Sequence, residues 1–374
     1  MAGPAFTKLV DGLPSTVPFV GPETQERAMG RVFDARIGAN ESVFGPSPNA
    51  IAAMQKTAAE IWRYGDPENH DLRHAIAAHH GIDPAHIAIG EGIDGMFGYL
   101  CRMFVEPGVT VATSLGAYPT FNFHVNGYGG RLVTTPFVDD REDPDSLLAL
   151  AEREGASLIY LSNPDNPMGS WHAGRVIEEM VARLPAGRLL CLDEAYIDFA
   201  PDGTAPEIDP TDPRVIRFRT FSKAHGMAGA RVAYAIAAAP LAKAFDKIRN
   251  HFGVNRVAQA GALAALHDRD WIAHIRREVE AARDRIGRIA CHAGLHPLPS
   301  AANFVAIDCG RDGAFAKRVL DGLVARGVFV RMPFAAPQNR CIRVSCGAPA
   351  DLDAFAAALP EALTEAQGSM AASA

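Results

Sequence analysis

The sequence predicts an α/β protein, with a large domain on a mostly parallel central sheet and a smaller α+β domain. Three observations carry that reading. From about residue 86, short apolar runs alternate with amphipathic stretches; the runs are 87–89, 109–112, 131–134, 158–161, 189–192, 215–218 and 232–236. Most are apolar throughout, as strands covered by helices on both faces are. After residue 245 the rhythm gives way to long charged helical patterns, and 374 residues exceed one simple core.

The elements follow in order. Residues 1–45 are rich in Pro and Gly and lack a clear helical period, so an arm of extended segments and turns is expected, belonging to the small domain. Residues 50–62 and 71–80 read as helices. In the large domain, 46–245, Ile93, Phe97, Leu100 and Phe104 recur at steps of four, three and four, and 176–184 repeats the helical pattern. In the small domain, 246–374, residues 272–293 form one long helix with Arg and Glu on its outer face. Residues 302–308, 328–331 and 341–345 read as strands, and 314–326 as a helix. The small, polar tail after Ala366 is expected to fray.

Composition excludes several classes. A chain 48% hydrophobic and 21% charged, with mean hydropathy of zero, is a folded globular one. The net charge of −7 provides no basic field for nucleic acid or anionic membrane. No apolar run approaches the length of a membrane span. The six cysteines form no C-x-x-C pair, so neither a zinc knuckle nor a redox motif is expected. Buried free thiols and an N-terminus without a signal-type apolar core point to the cytoplasm. His70 and His74 share a helix face with His79 nearby, but no H-E-x-x-H pattern is present, so no metal is expected.

Three motifs carry chemistry. Gly90-Glu91-Gly92-Ile93-Asp94-Gly95 follows a strand and opens a helix, so its backbone N–H groups and dipole suit a phosphate. The pattern also fits a dinucleotide fingerprint. An NAD-dependent dehydrogenase would need an acid closing the second strand, and the next one after that strand is Asp139. The second motif is an apolar strand ending in Asp193-Glu194, whose buried carboxylates demand a partner. It resembles the magnesium strand of an ATPase, but none of the six lysines follows a glycine, which excludes a P-loop. The third is Lys223, in Phe221-Ser222-Lys223-Ala224-His225-Gly226, just past a strand among small residues. A surface lysine is the ordinary alternative. A desolvated lysine beside a cation instead becomes nucleophilic; lowering its pKa from about 10.4 to about 7 takes roughly 5 kcal/mol.

Together with Arg231, these motifs resemble the fold type I pyridoxal-phosphate aminotransferases, and within them the histidinol-phosphate aminotransferase group. Ala39-Asn40-Glu41, Arg63-Tyr64-Gly65-Asp66-Pro67, Ala117-Tyr118-Pro119, Asn163-Pro164-Asp165-Asn166-Pro167, Asp193-Glu194-Ala195-Tyr196, Val330-Arg331 and Ile342-Arg343-Val344 extend the likeness over most of the chain. The resemblance implies roles. Lys223 would hold pyridoxal 5′-phosphate as a Schiff base and shuttle the substrate proton, and Asp193 would pair with the ring nitrogen. Tyr196 and Asn166 would bond the ring oxygen, and Tyr118 would stack on the ring. Gly92, Ile93, Asp94, Ser222 and Arg231 would hold the phosphate, with Tyr64 arriving from the second subunit of a homodimer. Arg343 would clamp a substrate carboxylate, Arg331 a substrate anion, and Asn40 and Phe19 would line the substrate site.

Phe19 stands where the group carries tyrosine, and His225 where it carries an aromatic or aliphatic residue. The expected reaction moves an amino group from histidinol phosphate or another amino acid to 2-oxoglutarate, with ping-pong kinetics. Aromatic amino acid transamination and decarboxylation of phosphothreonine are the alternatives on the same cofactor.

Overall fold

The computed structural model describes residues 3–15 and 20–371. The strands in chain order are β1 Ala35–Arg36, β2 Ile87–Gly90, β3 Thr110–Ser114, β4 Arg131–Thr135, β5 Leu158–Ser162 and β6 Leu189–Asp193, followed by β7 Val215–Thr220, β8 Ala233–Ala237, β9 His296–Pro297, β10 Phe304–Asp308, β11 Val328–Phe329 and β12 Cys341–Ser345. The seven runs found in the sequence are β2 to β8, each within a residue or two of its expected bounds.

They form one sheet in the order β2-β8-β7-β6-β5-β3-β4. All pairings are parallel except those of β8, which runs antiparallel to both β2 and β7. The apolar strands β2, β3, β5, β6 and β8 are buried along their whole length, while edge strand β4 is exposed or half-buried throughout. Strand order reverses direction between β3 and β5, which opens a crevice at their C-terminal ends.

Helix Gly92–Phe104 realises the predicted stripe, burying Ile93, Met96, Phe97, Leu100 and Cys101 against the sheet. Phe97 meets Phe121, Tyr160 and Phe218 edge-on at 5.2–5.7 Å between centroids, so an aromatic cluster lies directly under the crevice.

Helix Arg256–His267 departs from the domain boundary expected at 245/246. Its small residues Ala258, Ala262 and Ala265 share a core with Ala50, Ile76, Ile87 and Phe221. A Cβ on Gly261 would stand 2.6 Å from Met54, so close packing on helix Pro48–Ala58 requires that glycine. By packing, the large domain therefore reaches to about residue 267.

Beyond it, helices Arg269–His292, Gly313–Ala325 and Pro349–Ala371 enclose a second core with β9, β10 and β12. The N-terminal arm joins this unit through β1, which pairs parallel with β11. The arm is not extended throughout, because helices Lys8–Gly12 and Pro22–Met29 interrupt it. Thr7 caps the first; Pro22 opens the second and Gly30, at φ 69°, closes it. These two helices are too short to show a period in sequence.

Candidate active site

A cavity of about 750 Å³ opens at the C-terminal ends of the sheet strands, between the two domains. The loops after β2, β3, β5, β6 and β7 deliver Ile93 and Asp94, Tyr118, Asn166, Asp193 and Tyr196, and Ser222 and Lys223. The small domain and arm add Asn40, Arg331 and Arg343.

Lys223 follows the end of β7 and donates from Nζ to the Asn40 carbonyl at 2.9 Å. Burial, aided by the Arg343 charge, lowers its pKa to about 8. Its ammonium lies 5.5 Å from the Tyr196 ring centroid. The lysine is thus held near the point where it becomes an unprotonated nucleophile.

Asp193 ends β6 with 5% exposure. Its Oδ1 accepts from the Ala195 N–H (2.9 Å) and its Oδ2 from the Tyr160 hydroxyl (2.8 Å). No cation pairs with it among the described residues, and burial raises its pKa to about 6. The Tyr196 hydroxyl accepts from Asn40 (3.0 Å) and Asn166 (3.4 Å), which leaves its proton to donate elsewhere. Burial pushes this phenol up to about 12, so it stays protonated.

A phosphate cradle is also present. Gly92 has φ 76°, and a Cβ there would sit 2.1 Å from the Arg231 guanidinium. Only glycine lets the guanidinium lie across this helix start. Arg231 donates to the Ala228 carbonyl at 3.0 Å and meets no carboxylate among the described residues. Ser222 is buried beside it, held by Thr220 (2.9 Å). The Tyr118 hydroxyl donates to Asp94 at 3.0 Å, which fixes its ring at the cavity wall.

At the rim, Arg343 donates to Asn166 Oδ1 (2.6 Å) and the Gly38 carbonyl (3.1 Å), while its Nε has no partner. It lacks a carboxylate partner among the described residues, and burial lowers its pKa to about 10. Arg331 is joined to it by a backbone bridge and donates to the Val20 carbonyl at 2.7 Å. Asn40 has φ 55° and is buried, with Ser345 and Asn303 holding its side chain and carbonyl.

One expected residue is not brought into its own chain's cavity. Tyr64 is 76% exposed and packs on Phe252, outside its own chain's cavity. Phe19 lies outside the described residues. The dinucleotide reading of Gly90–Gly95 is overturned: that fingerprint needs a parallel βαβ unit, whereas β2 pairs only with antiparallel β8. Sequence reasoning missed Tyr160, Ser345 and Asn303. For Tyr160 the one available signal was a hydroxyl inside the apolar run 158–161.

A lowered lysine amine, a buried acid without a cation, a phosphate cradle and two rim arginines define an enzyme acting on amino compounds through a phosphorylated carbonyl cofactor. The comparisons make that particular. The model of the family "Aminotransferase class I and II" matches residues 35–359. A crystal structure of histidinol-phosphate aminotransferase from Sinorhizobium meliloti in complex with pyridoxal-5′-phosphate is 53% identical, at a TM-score of 0.94 over 97% of this chain and 98% of that one. Histidinol-phosphate aminotransferase 2 of Pseudomonas aeruginosa is 32% identical, spanning 88% of this chain and 89% of that protein. Histidinol-phosphate aminotransferase 1 of Mesorhizobium japonicum is 33% identical, spanning 88% and 90%. Aspartate aminotransferase from Thermus thermophilus, 18% identical at a TM-score of 0.79, shares the fold. The chain belongs to the class I and II aminotransferases and is a pyridoxal-phosphate-dependent enzyme of fold type I.

Proposed function

We propose that this aminotransferase takes the amino group of histidinol phosphate and gives it to 2-oxoglutarate, working in the cytoplasm as a homodimer with ping-pong kinetics. The observation that carries this reading is the likeness to the Sinorhizobium enzyme over nearly the whole of both chains. The site agrees with it. One substrate ends in a phosphate and the other in two carboxylates, and the rim offers two neighbouring arginines, one with an unpartnered Nε.

When bound, pyridoxal phosphate supplies an electron-withdrawing ring that stabilises negative charge at the substrate α-carbon. Lys223 would hold it covalently and, as a free amine, would carry the proton on and off that carbon through Nζ. Asp193 would accept a hydrogen bond from the ring nitrogen and stabilise its positive charge. Tyr196 donates its free proton toward the ring oxygen. Gly92, Ile93, Asp94, Ser222 and Arg231 hold the phosphate, and Tyr118 limits tilting of the ring. Tyr64, exposed and packed on Phe252, would reach the cofactor of the partner subunit.

The test is the visible absorption of the holoenzyme during a donor screen. The band is expected to bleach with histidinol phosphate and return with 2-oxoglutarate, and the two-substrate kinetics to give parallel lines. Bleaching only by phenylalanine, or carbon dioxide release from phosphothreonine, would replace the proposed donor.

A further inference from the structure

We propose that Tyr160 is a positioning residue for Asp193: its hydroxyl fixes the carboxylate and keeps it ionised beneath the ring nitrogen of the bound cofactor. The inference rests on the reading of Asp193 as the partner of that nitrogen.

Strand pairing puts the two side chains together. Tyr160 on β5 lies opposite Cys191 on β6. Asp193 is two residues further along β6, so it shares a sheet face with Cys191 and is the diagonal neighbour of Tyr160. The Tyr160 hydroxyl donates to Asp193 Oδ2 at 2.8 Å.

The donor is also held rigidly. Tyr160 has no solvent exposure. Its ring stacks on Phe121 at 4.5 Å and 20°, and Phe97 meets it edge-on at 5.7 Å. A ring clamped on two sides cannot swing its hydroxyl away from Asp193. Burial and neighbouring carboxylates push the phenol well up, so it remains a donor at any working pH.

Proton placement gives the contact its purpose. Burial, with the nearby charges of Asp94 and Glu194, drives Asp193 toward its protonated form. Two donors oppose that drift: the Ala195 N–H and the Tyr160 hydroxyl. The backbone donor is present whatever the side chain at 195, so Tyr160 is the one that sequence can change. Without its hydroxyl, Asp193 holds its proton more tightly. The ring nitrogen then gives its proton up to Asp193, and the ring withdraws electrons less well. Tyr160 itself transfers no proton.

A double-mutant cycle on the holoenzyme tests this with Tyr160→Phe, Asp193→Asn and the double variant. Three quantities are read: the rate of the donor half-reaction, the pH midpoint of the visible cofactor band, and the rate at which cofactor dissociates. Tyr160→Phe is expected to slow the half-reaction about tenfold, the scale of one hydrogen bond to a charged group. It should also raise the band midpoint, because a ring with less positive charge makes the lysine-bound nitrogen more basic. In the Asp193→Asn background the same substitution should change each quantity by less than about twofold, since its route of action is gone. Equal effects in both backgrounds would show Tyr160 to be a packing residue and overturn the proposal, as would a wild-type midpoint and rate in Tyr160→Phe. Normal rate and midpoint in Asp193→Asn alone would overturn the underlying reading of Asp193 as well. A Tyr160→Phe effect present in the wild-type background and absent from an impaired Asp193→Asn background leaves that reading intact and supports the proposal.

Discussion

Asp193 and Glu194 are consecutive buried carboxylates at the end of β6, yet their two faces treat them in opposite ways. Asp193 points into the cavity, meets two neutral donors and no cation among the described residues, and is pushed up to about 6. Glu194 points to the back of the sheet, where Arg217 and Arg219 clasp it at 2.8 and 2.9 Å, and its pKa is lowered. Burial is the same; the cation differs. The back face is electrostatically complete in the protein alone. The cavity face has no such partner among the described residues, and in the proposed function the ring nitrogen of the cofactor supplies that charge.

The comparison can be broken at several points. The largest effect is expected at the other end of the cavity: Lys223→Ala should lower turnover by more than about a thousandfold, since it removes the proposed covalent anchor and proton carrier. The cradle at Gly92 and Arg231 should still bind cofactor in that variant. Single-turnover kinetics and the absorption spectrum check both statements.

The neighbouring acids should then separate by type of damage. Asp193→Asn should cut the half-reaction rate by about a hundredfold or more with little loss of fold stability. Glu194→Gln should leave the cavity chemistry in place but destabilise the fold by about 3–5 kcal/mol, because two half-neutralised guanidiniums stay buried. Denaturant unfolding alongside half-reaction rates distinguishes the two, and an exchange of these phenotypes would contradict the contrast.

A smaller effect is expected at the cradle. Gly92→Ala forces the Arg231 guanidinium aside and strains a backbone at φ 76°, so cofactor affinity should fall by about tenfold, the value of one displaced charged contact. Equilibrium titration of the apoprotein measures it.

The smallest effect is on pH dependence of the apoprotein. Asp193 has a raised folded pKa, so its contribution to stability is present at low pH and is lost as pH rises through about 6. Glu194 has a lowered one, so its contribution is present above the ordinary carboxylate range and is lost on acidification. Relative to wild type, apo Asp193→Asn should therefore gain stability as pH rises from about 4 to about 7, by about 1–3 kcal/mol, and Glu194→Gln should lose the wild type's dependence on pH below the ordinary carboxylate range. Thermal midpoints across that range decide the matter.

The two faces also differ in how well they could be read beforehand. Lys223, Asp193 and Gly92 stood out because each is an exception to its surroundings: a lysine among small residues, an acid closing an apolar strand, a glycine at a helix start. Arg217 and Arg219 did not, since their pairing with Glu194 depends on which strand lies beside β6. Tyr160 was hidden for the same reason. The arm was misread because helices of five and eight residues carry no usable period. Helix Arg256–His267 was assigned to the wrong core because its own pattern does not name its partner.

The sequence by itself determined the strands and long helices, and the residue types that the chemistry needs, because hydrophobic period and turn chemistry are local. The tertiary structure alone decided which strands are neighbours, that β8 runs antiparallel, that Tyr160 meets Asp193, and that only one of two adjacent acids meets a cation among the described residues. Those outcomes depend on pairing and burial between residues far apart in the chain. A local pattern has no means of encoding the dielectric or the partner that each side chain finally meets.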